Sequence, residues 1–271
     1  MRAAVLGSPV AHSLSPVLHR AAYAALDLPH TYDAIDVPEV ELIDFVNGLD
    51  ANWLGLSLTM PLKEVAFKLS SVCDELAIQT GAINTLVFGD ELRGYNTDVL
   101  GIVDAVREAG HETIATATIF GSGATARSAL VALHRLGAKQ ISVVARNESA
   151  LTRMLTMGTE LNVTLKAQTL SETTWLESDL VINTTPVGAL DEIAQQVFRP
   201  KGLLLDVVYD PWPTQLAACW SVTGGQIISG LSMLLHQAGH QVNLMTGEVA
   251  PLVKMRDALN SELLTRGLSA I

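Results

Sequence analysis

Apolar residues along the chain alternate between short continuous runs and stripes with helical spacing. The runs at 2–6 and 115–120 are typical of buried strands, whereas Val99, Ile102 and Val106 recur at the spacing of one helix face. Strands that alternate with helices predict an α/β fold built from βαβ units. The predicted strands are 2–6, 31–37, 53–59, 82–88, 115–120, 141–145, 162–167, 179–183, 202–207 and 226–229, with 91–95 returning as the hairpin partner of 82–88.

The segment 53–64 combines a predicted strand with the start of a predicted helix. Pro61 suits the first helical position, because its missing N–H would have no partner there. Lys63 then falls in the first helical turn, where the helix dipole disfavours a positive charge. A residue that breaks a local rule without structural gain is a candidate for function, here the exchange of a proton with a substrate. The alternative is an ordinary surface lysine on an amphipathic helix.

Two serines follow the first predicted strand. Ser15 precedes Pro16, so it is predicted to cap the helix that begins there. Ser13 and Ser15 together, in a loop at the end of a strand, are also suited to binding a small polar ligand.

Three further polar residues have both a structural and a functional interpretation. Asn84 lies in the middle of its predicted strand, where it needs hydrogen-bond partners across the sheet or on a ligand. Asp98 lies in the first turn of a helix that Asn96 or Thr97 can cap, and there a carboxylate complements the dipole. Gln237, on a helix with an apolar face, is either solvated or a ligand contact.

A glycine-rich turn connects the strand at 115–120 to a helix. Gly121, Gly123 and Ala126 match the pattern G-x-G-x-x-A in strand–turn–helix context, which indicates a dinucleotide-binding site. The next predicted strand, 141–145, is followed by Arg146, a residue type that accommodates the 2′-phosphate of NADP, and the nearest acid, Glu148, lies two residues further on. The sequence therefore favours NADP over NAD.

Composition narrows the class of protein. A chain of 271 residues is long enough for two domains, and no apolar run approaches the roughly 18 residues of a membrane-spanning helix. The net charge of −11 argues against nucleic acid or an acidic membrane surface as partner. Cys73 and Cys219 lie far apart and form no metal-binding spacing, so we expect no metal and a reducing, cytoplasmic location.

Several short motifs occur in a fixed order along the whole chain. They are S-L-S-P with Ser13 and Ser15, S-L-T-M-P-L-K with Thr59 and Lys63, G-A-I-N-T with Asn84, G-Y-N-T-D-V-L-G with Asp98, the glycine turn, I-N-T-T-P-V-G, D-V-V-Y-D-P with Tyr209, and G-L-S-M-L-L-H-Q ending at Gln237. In order and spacing they resemble the motifs of the shikimate dehydrogenase family. Ser57 departs from the asparagine most common there, Ala124 replaces a third glycine, and A-R-N-E-S-A keeps Arg146 without the family's neighbouring donors and later lysine.

The resemblance implies NADPH-dependent reduction of 3-dehydroshikimate to shikimate in aromatic amino-acid biosynthesis. It implies that Lys63 and Asp98 are catalytic and also contact the substrate. The other expected substrate contacts are Ser13, Ser15, Thr59, Asn84, Tyr209 and Gln237. The expected cofactor contacts are Gly121, Ser122, Gly123, Ala124, Thr125, Arg146, Val207 and Gly230.

The resemblance also implies a two-domain organisation. Residues 1–101, completed by helices in 231–271, are expected to form an α/β substrate domain, and residues 102–230 a Rossmann-type NADP-binding domain. We expect the site to lie in the cleft and the domains to close on binding. The protein is expected to be a monomer or a homodimer. Two rival hypotheses are an NAD-dependent quinate/shikimate dehydrogenase and a non-catalytic NADP-binding sensor.

Overall fold

The computed structural model describes all 271 residues and divides them into two compact units. The first unit comprises 1–101 and 234–271, and the second comprises 102–233. The chain passes between the units inside two helices, because the unit boundaries fall within α5 (Asp98–Glu108) and α10 (Gly230–Thr246).

The elements follow the alternation expected from the apolar pattern. Residues 1–101 form β1 (Arg2–Gly7), α1 (Ser15–Ala25), β2 (Thr31–Asp36), α2 (Leu42–Asn47), β3 (Trp53–Leu58), α3 (Lys63–Leu69), β4 (Val72–Cys73), α4 (Glu75–Thr80), β5 (Thr85–Val87), β6 (Arg93–Tyr95) and the start of α5. Residues 102–233 continue with β7 (Thr116–Phe120), α6 (Ala124–Arg135), β8 (Gln140–Val144), α7 (Glu148–Glu160), β9 (Thr164–Gln168), β10 (Leu180–Asn183), α8 (Asp191–Ala194), β11 (Leu203–Asp206), α9 (Gln215–Val222) and β12 (Ile227–Ser229). After α10, the chain ends with α11 (Leu252–Thr265).

The sheet of the first unit has six strands in the order β2-β1-β3-β5-β6-β4. Its strands β2, β1 and β3 are parallel, whereas β5 pairs antiparallel with β3 and with β6. The core on one face of this sheet includes Trp53, Leu56 and Leu86. Because β1 and β3 are parallel neighbours, the loops after both strands leave the sheet at the same edge, and this places the segments after Gly7 and Leu58 together.

The sheet of the second unit is entirely parallel, in the order β12-β11-β10-β7-β8-β9. This is the doubly wound order of dinucleotide-binding domains, and the strand order reverses between β7 and β10. Ligands of such sheets bind at the carboxyl ends of the strands, at the point of reversal. The glycine turn after β7 and the segment after β10 lie at this point.

Three local predictions were wrong, those for Ser15, Pro61 and Asn84. Ser15 is the first residue of α1 and not its cap, since its N–H bonds to the Ser13 hydroxyl, with 3.3 Å between N and Oγ. Pro61 lies in a turn closed by the Leu62 N–H on the carbonyl of Thr59, so α3 begins at Lys63.

The third wrong prediction concerns Asn84, which precedes β5 and does not lie in the middle of a strand. Its backbone N–H bonds to Tyr95 and its carbonyl to Leu58. Its side chain faces the start of α5, where it accepts a hydrogen bond from the Thr97 N–H.

None of the eleven α-helices combines the length and apolar character that crossing a membrane requires.

Candidate active site

Lys63 and Asp98 form an ion pair within the first unit. The Lys63 Nζ lies 2.6 Å from the Asp98 Oδ2, with the two side chains 14% and 1% exposed. Each is the first residue of a helix, α3 for Lys63 and α5 for Asp98. The Asp98 carboxylate lies at the start of α5, where the helix dipole stabilises a negative charge. It also compensates the positive charge of Lys63, which the dipole of α3 disfavours. The interpretation of Lys63 as an ordinary surface lysine is therefore wrong.

Asn84 connects this ion pair to neighbouring polar groups. Its Oδ1 accepts a hydrogen bond from the Thr97 N–H at 2.8 Å, and because a backbone N–H can only donate, this fixes which end of the amide carries the oxygen. The Asn84 Nδ2 therefore faces Asp98 and donates to its Oδ1 at 2.8 Å. Both oxygens of the buried Asp98 carboxylate thus have donors.

Gln237 belongs to the same cluster, although it lies 153 positions from Asn84 along the chain. Its Oε1 accepts a hydrogen bond from the Asn84 Nδ2 at 3.2 Å, and its side chain is half-buried on α10. Of the two interpretations of Gln237, the one that left it simply solvated is therefore wrong. Tertiary packing brings Lys63, Asn84, Asp98 and Gln237 together in the first unit.

Thr59 directly follows β3, Ser13 lies in the segment between β1 and α1, and Ser15 is the first residue of α1. The Thr59 N–H bonds to Leu6 in β1, and the Thr59 methyl group contacts Gly7. The hydroxyls of Ser15 and Thr59 make no hydrogen bond within the protein. Because Ser15 is buried and Thr59 half-buried, these are two unused hydrogen-bonding groups that are partly or largely shielded from solvent.

A buried polar layer, which the sequence did not reveal, lies next to Asn84. Gln241 bonds to the Asn84 carbonyl and to Thr85, and on its other side to Ser57 and His19. Burial lowers the pKa of His19 to about 3, and its hydrogen bond to Gln241 opposes this shift only in part. Gln241 follows Gln237 by four residues on α10, a spacing that puts both on one helix face, and this was the available signal.

The glycine turn of the second unit is shaped for a phosphate. Gly121 has a φ of +112°, a left-handed conformation that favours glycine, and a side chain there would collide with Thr184 after β10. Gly123 precedes α6, no side chain caps that helix, and an added Cβ at Gly123 would meet nothing within 4 Å. The N–H groups of the first helical turn therefore have no side-chain cap, and the backbone at Gly123 is open to an approaching group, as anion binding at a helix N-terminus requires. Ser122, Ala124 and Thr125, also predicted contacts, are half-buried in this turn.

Arg146 lies beyond the end of β8, the neighbour of β7. The Gly121 N–H bonds to the Val144 carbonyl at 2.9 Å, so the glycine turn and the end of β8 are adjacent. The Arg146 side chain is exposed and makes no ion pair or hydrogen bond within the protein. Its guanidinium is thus available for an anionic group. Asn147 is occupied, since its Oδ1 caps α7 by accepting from the Ala150 N–H.

The two remaining predicted cofactor residues, Val207 and Gly230, are in contact in the second unit. A side chain at Gly230 would collide with the Val207 carbonyl, so the two backbones are in direct contact. Tyr209 follows β11 by three residues and is half-buried.

Asp206, the first residue of the motif D-V-V-Y-D-P, was given no role by the sequence, yet it holds two neighbouring side chains by hydrogen bonds. It accepts hydrogen bonds from Asn183 at 3.0 Å and from Thr214 at 2.7 Å. Burial raises the pKa of Asp206 despite these donors. No group of three or more His, Cys, Asp or Glu side chains is arranged to hold a metal ion.

Comparison with protein-family models gives two matches. The shikimate dehydrogenase substrate binding domain matches residues 5–86, which include Ser13, Ser15, Thr59, Lys63 and Asn84. The shikimate 5'-dehydrogenase C-terminal domain matches residues 230–259, the segment that carries Gln237 and Gln241.

Individual relatives match over nearly the whole chain. Shikimate dehydrogenase (NADP(+)) of Methanosarcina barkeri is 34% identical, covering 93% of this chain and 95% of its own. The crystal structure of Mycobacterium tuberculosis shikimate dehydrogenase superposes with a TM-score of 0.89 at 38% identity, covering 96% of this chain and 99% of its own. The crystal structure of the Thermus thermophilus enzyme in complex with NADP(H) and shikimate superposes with a TM-score of 0.85 at 30% identity. The match covers 96% of this chain and 99% of the Thermus chain.

Proposed function

Because the chain belongs to the shikimate dehydrogenase family, we propose that it catalyses the reversible NADPH-dependent reduction of 3-dehydroshikimate to shikimate in aromatic amino-acid biosynthesis. The observation that carries this proposal is the cluster of Lys63, Asn84, Asp98 and Gln237, which combines an ammonium group able to donate a proton with groups able to hydrogen-bond to hydroxyls. The fold is that of an NADP-dependent oxidoreductase acting on a CH–OH group.

Lys63 is the proposed general acid. In the reduction, the ketone carbon gains a hydride, which NADPH supplies when bound, and the carbonyl oxygen gains a proton. The Lys63 ammonium donates this proton and stabilises the negative charge that develops on the oxygen. Asp98 holds the ammonium in place through the 2.6 Å ion pair. When the reaction runs in the direction of shikimate oxidation, the neutral amine of Lys63 acts as general base and accepts the hydroxyl proton.

The other first-unit residues are proposed to bind the substrate. Asn84, Asp98 and Gln237 are assigned to the ring hydroxyls, because their amides and carboxylate offer both donors and acceptors. Ser13, Ser15 and Thr59 are assigned to the carboxylate; the hydroxyls of Ser15 and Thr59 lack partners within the protein, which supports this. A pocket with this many polar groups rejects an analogue that lacks a hydroxyl, because buried groups would then be unpaired.

Tyr209, in the second unit, is proposed as a further donor to the carboxylate. This assignment rests on the motif D-V-V-Y-D-P and stays a prediction.

The second unit is proposed to bind NADP. The N-terminus of α6 with Gly121, Ser122, Gly123, Ala124 and Thr125 suits the pyrophosphate, and Val207 and Gly230 are assigned to the same cofactor. The unpaired guanidinium of Arg146 fits the 2′-phosphate that distinguishes NADP from NAD. The residues 1–101 with 231–271 then form the substrate domain and 102–230 the cofactor domain.

The test is an assay of reduced nicotinamide absorbance with shikimate or quinate and with NADP or NAD. We expect rapid reduction of NADP with shikimate and much slower reaction in the other combinations. A higher kcat/KM with NAD would support the quinate/shikimate dehydrogenase hypothesis. NADP binding without turnover of either substrate would leave the sensor hypothesis.

The location and the state of assembly complete the proposal. We propose a cytoplasmic enzyme. The free thiols of Cys73 and Cys219 support this, since cysteines of exported proteins are commonly oxidised to disulfides.

A monomer or a homodimer is proposed, and sedimentation equilibrium would distinguish them.

A further inference from the structure

A continuous chain of buried hydrogen bonds connects the centre of the first unit to the Lys63–Asp98 pair. Its members, which we call the Gln241 network, are Tyr32, Ser57, Gln241, Thr85 and Asn84. None of the five is more than 3% exposed. Only Asn84 belongs to the proposed substrate site, so the other four require a separate explanation.

Gln241 is the centre of this network because its side-chain amide uses all of its hydrogen-bonding capacity. Its Nε2 donates to the Asn84 carbonyl at 3.1 Å and to the Thr85 hydroxyl at 3.0 Å. Its Oε1 accepts from the Ser57 hydroxyl at 2.8 Å and lies 3.2 Å from the His19 Nε2. A buried amide is tolerated when its groups are paired, and a fully paired amide has one orientation.

The direction of every bond in the network is fixed. A backbone carbonyl can only accept, so the Asn84 carbonyl requires the NH2 end of Gln241. The Gln241 oxygen then faces Ser57, whose hydroxyl donates to it and accepts from the Tyr32 hydroxyl at 2.6 Å. Because the Gln241 Oε1 can only accept, the His19 Nε2 that faces it carries a hydrogen and donates that hydrogen to it.

The network ends on the amide that contacts Asp98. Thr85 accepts from Gln241, so its own hydrogen is directed to the Asn84 Oδ1, at 2.9 Å. Gln241 therefore holds Asn84 twice, at the backbone carbonyl and, through Thr85, at the side chain. Asn84 in turn donates to Asp98 and Gln237.

We propose that Gln241 is a positioning residue for the substrate site: together with the Thr97 N–H, it holds the Asn84 amide in one orientation and, through it, supports the placement of Asp98 and Gln237. This inference rests on the proposed function. Gln241 itself touches neither substrate nor cofactor, because it lies on the buried side of Asn84, next to Ser57 and His19.

The principal test replaces Gln241 by Met, which has a similar length and cannot form these hydrogen bonds. We expect Gln241→Met to weaken shikimate binding about tenfold by calorimetry, corresponding to the loss of one or two net hydrogen bonds. The Kd for NADP should not change. A role confined to stability would reduce the folded fraction and leave the shikimate Kd of the folded protein as in wild type.

Two buried tyrosines of the first unit offer a second test variant, Tyr32→Phe, and its matched control, Tyr23→Phe. Tyr32→Phe removes the first donor of the network and should weaken shikimate binding about twofold to threefold. Tyr23→Phe removes a buried hydroxyl that has no partner, from a ring 6.4 Å away from Tyr32, and should leave binding unchanged. Tyr32→Phe also keeps the proposal testable if Gln241→Met does not fold.

A double-variant cycle tests whether Gln241 acts through Asn84. Once Asn84→Ala is present, adding Gln241→Met should have little further effect on shikimate binding, because the group it positions is absent. Full additivity of the two effects would overturn the proposal.

A readout independent of the reaction separates this proposal from the proposed function. In NMR spectra, the signals of the Asn84 side-chain NH2 group can be identified by their loss in Asn84→Ala. These signals should shift or broaden in Gln241→Met and not in Tyr23→Phe. If wild type neither binds nor oxidises shikimate, the proposed function fails, and these signals still decide the role of Gln241. Unchanged Asn84 signals in Gln241→Met would show that Gln241 does not position Asn84.

Discussion

Lys63 and Asp98 are each the first residue of a helix, and their side chains meet at 2.6 Å although 35 positions separate them. The dipole of α5 stabilises the carboxylate, and that carboxylate stabilises the lysine against the dipole of α3. Because Asp98 is only 1% exposed, removing its partner leaves a buried charge, which commonly costs about 3–5 kcal/mol. The pair therefore links the proposed chemistry to the stability of the first unit.

The first prediction concerns the proposed general acid. Lys63→Ala should lower kcat for shikimate oxidation by about 10²–10⁴, because general acid–base catalysis contributes this much, while the Kd for shikimate changes little. Steady-state kinetics, with the folded fraction checked by circular dichroism, measure the effect. Lys68→Ala, an exposed lysine on the same helix, is the control and should behave as wild type. Near-normal turnover of Lys63→Ala would contradict the assigned role.

The second prediction separates binding from chemistry at Gln237. Gln237→Ala should raise the KM for shikimate more than it lowers kcat, because a hydroxyl contact made equally in ground and transition states affects binding. Gln79→Ala is a suitable control, since Gln79 bonds only to Glu75 on the surface of α4. An unchanged KM in Gln237→Ala would place this residue outside the substrate site.

The third prediction concerns the choice between NADP and NAD. Arg146→Ala should weaken NADP binding by about 1.5–3 kcal/mol, the contribution of one charge-assisted hydrogen bond, and leave NAD binding nearly unchanged. Added salt should erode the wild-type preference for NADP, because the guanidinium is exposed.

Arg153→Ala is the control for Arg146→Ala, as it removes the same charge from an exposed position on α7. An equal loss of affinity for both cofactors in Arg146→Ala would mean that Arg146 does not recognise the 2′-phosphate.

The fourth prediction concerns the dependence of stability on pH. Burial lowers the pKa of His19 from 6.5 to about 3 in the folded protein. Between these values the unfolded chain holds a proton that the folded chain does not, so acid favours unfolding. His19 should therefore reduce the unfolding free energy by about 1.4 kcal/mol for each pH unit between 6.5 and about 3, and should have no effect above 6.5.

Denaturant unfolding of wild type and His19→Gln at pH 7 and pH 5 checks this prediction. Gln keeps an N–H that can reach Gln241 and carries no titratable proton, so the variant should lose less stability between the two pH values. His12→Gln, at an exposed histidine, should lose as much as wild type. Identical losses in wild type and His19→Gln would contradict the prediction.

The sequence by itself determined the features that depend on near neighbours. Apolar periodicity predicted the α/β alternation, since strand and helix expose side chains with different periods. The glycine pattern placed the turn between β7 and α6, because a positive φ at Gly121 and the open space at Gly123 are local requirements. The unusual position of Lys63 was visible for the same reason, as the dipole acts within one helical turn.

Only the tertiary structure decided which polar residues meet. Asn84 contacts Gln237 across 153 positions, and His19 contacts Gln241 across 222, so no local pattern contains either contact. Local rules also failed at Ser15, where a hydrogen bond from the Ser15 N–H to the Ser13 side chain displaced the expected cap. A buried polar group must find partners wherever packing provides them, and packing is a property of the whole unit. The chemistry was therefore readable from motifs, whereas the orientation of Asn84 and the role of Gln241 emerged only when distant segments were brought into contact.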